Sequence, residues 1–82
     1  MKITINRIEF DEKYMIINEK YKAIIIDGNV MITIKNRHGN ECYLNSINEG
    51  DTVNIKLDNN YIKSIRIMEE YVLLSDSSSD NL

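Results

Sequence analysis

Proline is absent from this chain and only three glycines occur, so the turns fall largely to asparagine and aspartate, whose short side chains tolerate positive φ. Tryptophan is absent as well, and phenylalanine occurs once. A core drawn from this sequence is therefore aliphatic. The single cysteine, Cys42, excludes an intrachain disulfide framework, and no Asn-x-Ser/Thr acceptor is present. Small secreted domains of this size are usually stapled by several disulfides, so a reducing intracellular compartment, cytoplasmic in kind, is expected. Long apolar runs are missing too. The longest are Tyr14 to Ile17, Ala23 to Ile26 and Tyr71 to Leu74, far short of the roughly 20 residues needed to span a bilayer. The first residues, Met1-Lys2-Ile3-Thr4-Ile5-Asn6-Arg7, alternate apolar and polar and read as a mature strand rather than a signal peptide. A soluble protein without a membrane partner is expected.

What is abundant points to strands. Isoleucine supplies 15 of the 82 residues, and β-branched side chains stiff at χ1 favour a pleated surface. Isoleucine, asparagine and lysine together supply 33 residues, a bias expected of an A/T-rich genome such as that of a virus, a phage or an A/T-rich microbe. The net charge of -3 is unevenly placed, because residues 69–82 hold Glu69, Glu70, Asp76 and Asp80 and no base. The body is thus nearly neutral, which gives little long-range attraction to a polyanion but leaves room for a local basic patch.

Turn-forming clusters recur at short intervals: Asp11-Glu12, Asn18-Glu19, Asp27-Gly28-Asn29, Arg37-His38-Gly39-Asn40, Glu49-Gly50-Asp51 and Asp58-Asn59-Asn60. The segments between them are of strand length. Asp-Gly and His-Gly-Asn suit tight hairpins. Val30, Ile32 and Ile34 interleave with Met31, Thr33 and Lys35, and Val53, Ile55 and Leu57 with Asn54 and Lys56, so each segment has one buried and one wet face. From Ile3 and Ile5 to Ile8 and Phe10 the apolar phase slips, which predicts a bend near Asn6-Arg7 that lets one strand serve two sides of a barrel. No apolar pattern recurs at helical spacing, and at most one helical turn is expected. The predicted fold is all-β, a small antiparallel barrel of OB-like or SH3-like kind spanning residues 1–74, with an open antiparallel sheet that dimerises as the alternative. Residues 75–82, polar and acidic, are expected to be a disordered tail.

The segment Ile47-Asn48-Glu49-Gly50-Asp51-Thr52-Val53-Asn54-Ile55, followed by Tyr61-Ile62-Lys63-Ser64-Ile65, resembles the Gly-Asp-x-Val start of a strand found in OB, KOW and other SH3-like domains and in barrel domains of translation factors. The resemblance covers about a quarter of the chain and implies a barrel. In this turn Gly50 supplies a permissive backbone and Asp51 can accept hydrogen bonds from nearby amides. The chain departs from many OB folds in having no helix-length segment between its third and fourth strands.

Catalytic constellations are wanting. His38 and Cys42 lie four apart, but a turn histidine and a small apolar strand residue explain both, and with one His and one Cys an intrachain zinc site would need carboxylates to complete its four ligands, which leaves open only a site shared across a dimer. No Gly-rich phosphate loop and no Gly-x-Ser-x-Gly elbow occurs. Neither an enzyme nor a cofactor is expected. Lys35, Arg37, His38, Tyr43, Tyr61, Lys63 and Arg66 interleave bases with aromatic rings on neighbouring predicted hairpins, a pattern suited to stacking bases and tracking phosphates. Tyr71, Val72, Leu73 and Leu74 form an apolar quartet, predicted to be a final strand or a partner-docking strand. The expected function is a non-catalytic protein-interaction module, such as a viral or phage accessory factor. The alternatives are a barrel that binds single-stranded nucleic acid and a small structural subunit that self-assembles through an edge strand.

Overall fold

A computed structural model describes residues 1–70. The final or docking strand expected at Tyr71 to Leu74 and the tail expected at residues 75–82 lie outside the described residues. Eight strands and one short turn of helix follow one another. They are β1 (Lys2–Thr4), β2 (Ile8–Phe10), β3 (Tyr14–Ile17), β4 (Tyr21–Ile26), β5 (Asn29–Val30), β6 (Thr33–Lys35), a 3-10 turn (Leu44–Ser46), β7 (Thr52–Asp58) and β8 (Tyr61–Glu69). The sheet runs β1-β7-β8-β4-β3-β2, with β5 added to β4 and β6 added to β8. It curls strongly into a half-barrel, and the class is all-β as expected from the sequence.

Three of its hairpins turn on two residues of positive φ: Asn18 and Glu19 (54° and 60°), Asp27 and Gly28 (51° and 78°), and Asn59 and Asn60 (51° and 67°). That conformation matches the twist of the strands it joins, and it is what asparagine, aspartate and glycine supply where proline is missing. The wider loop between Lys35 and Glu41, which pair in a single bridge, is tied by Asn36. Its Oδ1 accepts the N–H groups of His38 (3.0 Å) and Asn40 (3.0 Å), and Gly39 takes φ 85° there.

The bend near Asn6 organises the curl. β1 pairs with β7 and β2 pairs with β3, at opposite ends of the sheet, although only residues 5–7 separate the two strands. One stretch of chain therefore bridges both ends. Its backbone would be left short of partners at the kink, and Asn18 supplies them: Oδ1 accepts the N–H of Asn6 (2.7 Å) and of Arg7 (3.2 Å), and Nδ2 donates to the Thr4 carbonyl (3.0 Å). The phase slip read from the sequence is the consequence, with Ile5 fully buried and Ile8 turned toward the same core.

That core comprises Ile5, Met15, Ile17, Ala23, Ile34, Ile47, Val53, Ile55, Ile62, Ile65 and Ile67. Eight of these are isoleucine, each worth about 1.5–3 kcal/mol when taken from water. Asp51 is the buried polar residue beneath them. As its place after Gly50 suggested, its Oδ2 accepts the Asn48 N–H (3.0 Å), while its carbonyl accepts the Ile5 N–H (2.8 Å) and the Gly50 N–H donates to the Ile5 carbonyl (2.7 Å). Gly50 holds φ 97°. The sheet is not purely antiparallel, which the sequence pattern had suggested. β8 runs parallel to β4 at Lys22↔Tyr61 and to β6 at Thr33↔Ser64 through Lys35↔Arg66. The long excursion between β4 and β7 permits this, since parallel neighbours need a crossover of a dozen residues or more.

Candidate functional site

The outer face of the sheet collects cations. Residues directly opposite one another on neighbouring strands share a face, and the registers Lys2↔Asn54, Asn54↔Arg66 and Lys35↔Arg66 set Lys2, Asn54, Arg66 and Lys35 in one row across β1, β7, β8 and β6. At the usual spacing between strands the row is ~14 Å long. Beside it lie Lys56, Ser64 and Thr33. All of these but Lys2 line a depression of about 480 Å³. Among the described residues, Arg7 makes ion pairs, with Glu9 and Glu19, whereas Lys2, Lys35, Lys56 and Arg66 make none. Arg66 Nη2 donates to the Arg37 carbonyl (3.4 Å), which draws the guanidinium toward the turn at residues 36–40. Glu41, opposite Lys35, and Glu69, opposite Thr52, stand at the margins.

Further along β8 the same face becomes aromatic. Tyr61, 38% exposed, is the β8 partner of Lys22 in the parallel contact, and its ring lies 6.2 Å from that of Tyr14 at an interplanar angle of 50°. Lys22 Nζ sits 5.2 Å from the Tyr14 ring centroid, within range of a cation–π contact. The Tyr14 phenol is held above its ordinary 10.0, first by its hydrogen bond with Tyr61 and then by repulsion from that neighbouring phenol. The Tyr14 hydroxyl thus stays protonated and neutral across the physiological range. Two loops flank the pair. Asp11 Oδ1 accepts the N–H groups of Lys13 (2.8 Å) and Tyr14 (2.7 Å), and the Lys22 N–H donates to the Asn60 carbonyl (3.0 Å). Ile24 and Met31, both exposed, extend the surface with apolar area.

The residues singled out in the sequence divide between these places. Lys35 and Arg66 come together with Arg37 behind them, and Tyr61 and Lys63 sit at the start of β8. His38 is exposed in the Asn36 turn. Tyr43, 84% exposed, stands apart on the rim of an apolar groove that opens toward the core. Cys42 is half-buried against the core, and its N–H donates to the Ile34 carbonyl (2.9 Å). Among the described residues no three His, Cys, Asp or Glu side chains gather as a metal would need, and no helix is long and apolar enough to cross a membrane. Tyr14, Lys22, Lys2 and Lys56 were missed. The outward phase of Tyr14 and Lys22 was readable from the burial of Met15, Ile17 and Ala23, but their meeting with Tyr61 depends on the parallel contact. Comparison with known protein families, characterised proteins and solved structures yields no match for the chain.

Proposed function

We propose that the curled sheet is a barrel of the OB kind and that its outer face binds single-stranded nucleic acid without catalysis. Counting the bent β1–β2 chain as one strand, the principal order is five strands: β1–β2, β3, β4, β7 and β8. In OB barrels the face of the second and third strands, with the loops after the first and fourth, is the surface that takes oligonucleotides. Here that surface carries Tyr14 and Lys22, with Tyr61 beside them and residues 11–13 and 59–60 as the loops. The observation that carries the reading is the continuity of the Tyr14–Tyr61 pair with the row of unpaired cations Lys2, Arg66 and Lys35 on one face.

The division of labour follows from the chemistry. Bases meet the tyrosine faces, each stacked base contributing about 1–3 kcal/mol whatever its identity. Phosphates follow Lys35, Arg66, Lys56 and Lys2. Stacking on a side chain requires a base freed from its own helix, so single strands are preferred over duplex. Because the body is nearly neutral, affinity comes from contact rather than from long-range steering.

Fluorescence anisotropy with a labelled oligo-dT and a matched duplex tests this. Four phosphate contacts at a slope of about 0.7 each predict a loss of affinity of about 50-fold between roughly 50 and 200 mM salt. Absence of binding at about 50 mM salt, or equal binding of duplex, would sink the proposal.

A further inference from the structure

Among the described residues, the curl leaves β2 with one side unpaired. The Asn18 N–H donates to the Arg7 carbonyl (2.9 Å) and the Asp11 N–H to the Tyr14 carbonyl (3.0 Å). With the register Glu9↔Ile16 between them, the hydrogen-bonded pairs of this ladder fall at Arg7, Glu9 and Asp11, because such pairs alternate along antiparallel strands. The main-chain groups of Ile8 and Phe10 therefore point away from β3. One of them is met: the Ile8 N–H donates to Glu49 Oε2 (2.9 Å), a carboxylate standing where the carbonyl of a neighbouring strand would be. Among the described residues, no partner takes the Phe10 N–H or the Ile8 and Phe10 carbonyls.

Beside this edge lies an apolar groove of about 1020 Å³. Ile8 and Phe10 form one wall, and Val30, Ile32, Leu44 and Ile47 are prominent in the others. Phe10 is 57% exposed although it faces the same side as the fully buried Met15. Charge is one-sided. Glu49 is the charged residue of the lining, and the turns that abut it carry Asp11, Glu12 and Asp27, all exposed, against Lys13. Arg7 is already engaged by Glu9 and Glu19.

We propose that β2 is a strand-addition site for an extended peptide of a partner protein, one with apolar residues at alternate positions and basic residues around them. The open main-chain groups select a strand, since a helix has satisfied its own and cannot return the bonds. The period of two puts alternate side chains of the added strand into the groove, and the acidic rim selects lysine or arginine for the rest. This site is separate from the outer face and stands whether or not that face binds nucleic acid.

The test uses the full chain and a fluorescein-labelled peptide alternating Lys with Val and Ile. The account expects saturable one-to-one binding, amide shifts centred on Glu9, Phe10 and Leu44, and slowed exchange of the Phe10 amide. A peptide N-methylated at the pairing positions should lose binding. So should a permuted peptide of the same composition with its apolar residues adjacent. Phe10→Ala, at an exposed position that leaves the core intact, should weaken binding about tenfold. Equal binding of the N-methylated peptide overturns the proposal. So does a Phe10 amide already protected in the free protein, since the edge would then be filled from within the chain. Dimerisation through β2, read by light scattering, would overturn it as well.

Discussion

Replacing Asn18 by alanine perturbs the bend on which the whole curl depends. Asn18 contributes three side-chain hydrogen bonds to residues 4–7 and itself sits at φ 54°. Each bond is worth about 0.5–1.5 kcal/mol net, and an alanine forced to keep a left-handed backbone costs about 1 kcal/mol more. The site is close to solvent, so water recovers part of the loss, and about 2–3 kcal/mol is expected overall. For a domain of this size each kcal/mol moves Tm by about 4–8 °C, so the variant should melt about 8–24 °C lower. Two companions separate the causes. Asn18→Gly relieves the φ but loses the bonds, and should be milder than alanine. Asn18→Asp keeps the acceptor for Asn6 and Arg7 and loses only the bond to Thr4, so it should cost about 1 kcal/mol. Urea and thermal unfolding followed by circular dichroism measure all three. An Asn18→Ala variant within about 0.5 kcal/mol of the parent, the scatter of an inert surface change, would refute the reasoning.

Other expectations follow from the same geometry. Tyr61→Ala should weaken oligo-dT binding about 5- to 150-fold in an anisotropy titration while Tyr61→Phe leaves it within a few-fold, the value of one stacked base. Asp51→Ala, which leaves the Asn48 N–H without its acceptor at a position 1% exposed, should lower stability by about 1–3 kcal/mol in urea unfolding. In an absorbance titration of phenolate, the component lost on Tyr14→Phe should have its midpoint above 10.0, and Tyr61→Phe should bring it back down. Because the folded value is the raised one, this contribution to stability is complete below 10.0 and disappears as pH rises through the folded midpoint.

Much of the fold was legible because it is local. The phase slip between Ile5 and Ile8 marked the bend, Asp27-Gly28 marked a tight hairpin, and the alternation through Val53, Ile55 and Leu57 marked the longest one, whereas His38-Gly39-Asn40, expected in a tight hairpin, lies in the wider loop between Lys35 and Glu41 that Asn36 ties. The Gly50-Asp51 turn formed as its chemistry required. What escaped is non-local. Whether β8 meets β4 and β6 in parallel depends on how the chain between Asp27 and Asp51 folds back, and no period in one segment encodes that. The candidate site inherits this limit. Lys35 and Arg66 were singled out by residue type and meet in register, whereas Tyr43, of equally suitable type, turned to the opposite side. Tyr14 and Lys22 were passed over because their hairpin is rich in isoleucine and reads as core, although a two-residue turn at Asn18-Glu19 fixes them on the outward phase. The open edge of β2 was invisible in the sequence because Phe10 looks like a core residue until the curl is seen to stop beside it.

Amide chemical-shift mapping of the full chain titrated with oligo-dT at low salt locates the nucleic-acid surface residue by residue. Perturbations should concentrate at Tyr14, Lys22, Lys35, Lys56, Tyr61 and Arg66 and fade as salt is raised. Perturbations confined to the groove beside Phe10, or none at saturating oligonucleotide, would contradict binding by the outer face.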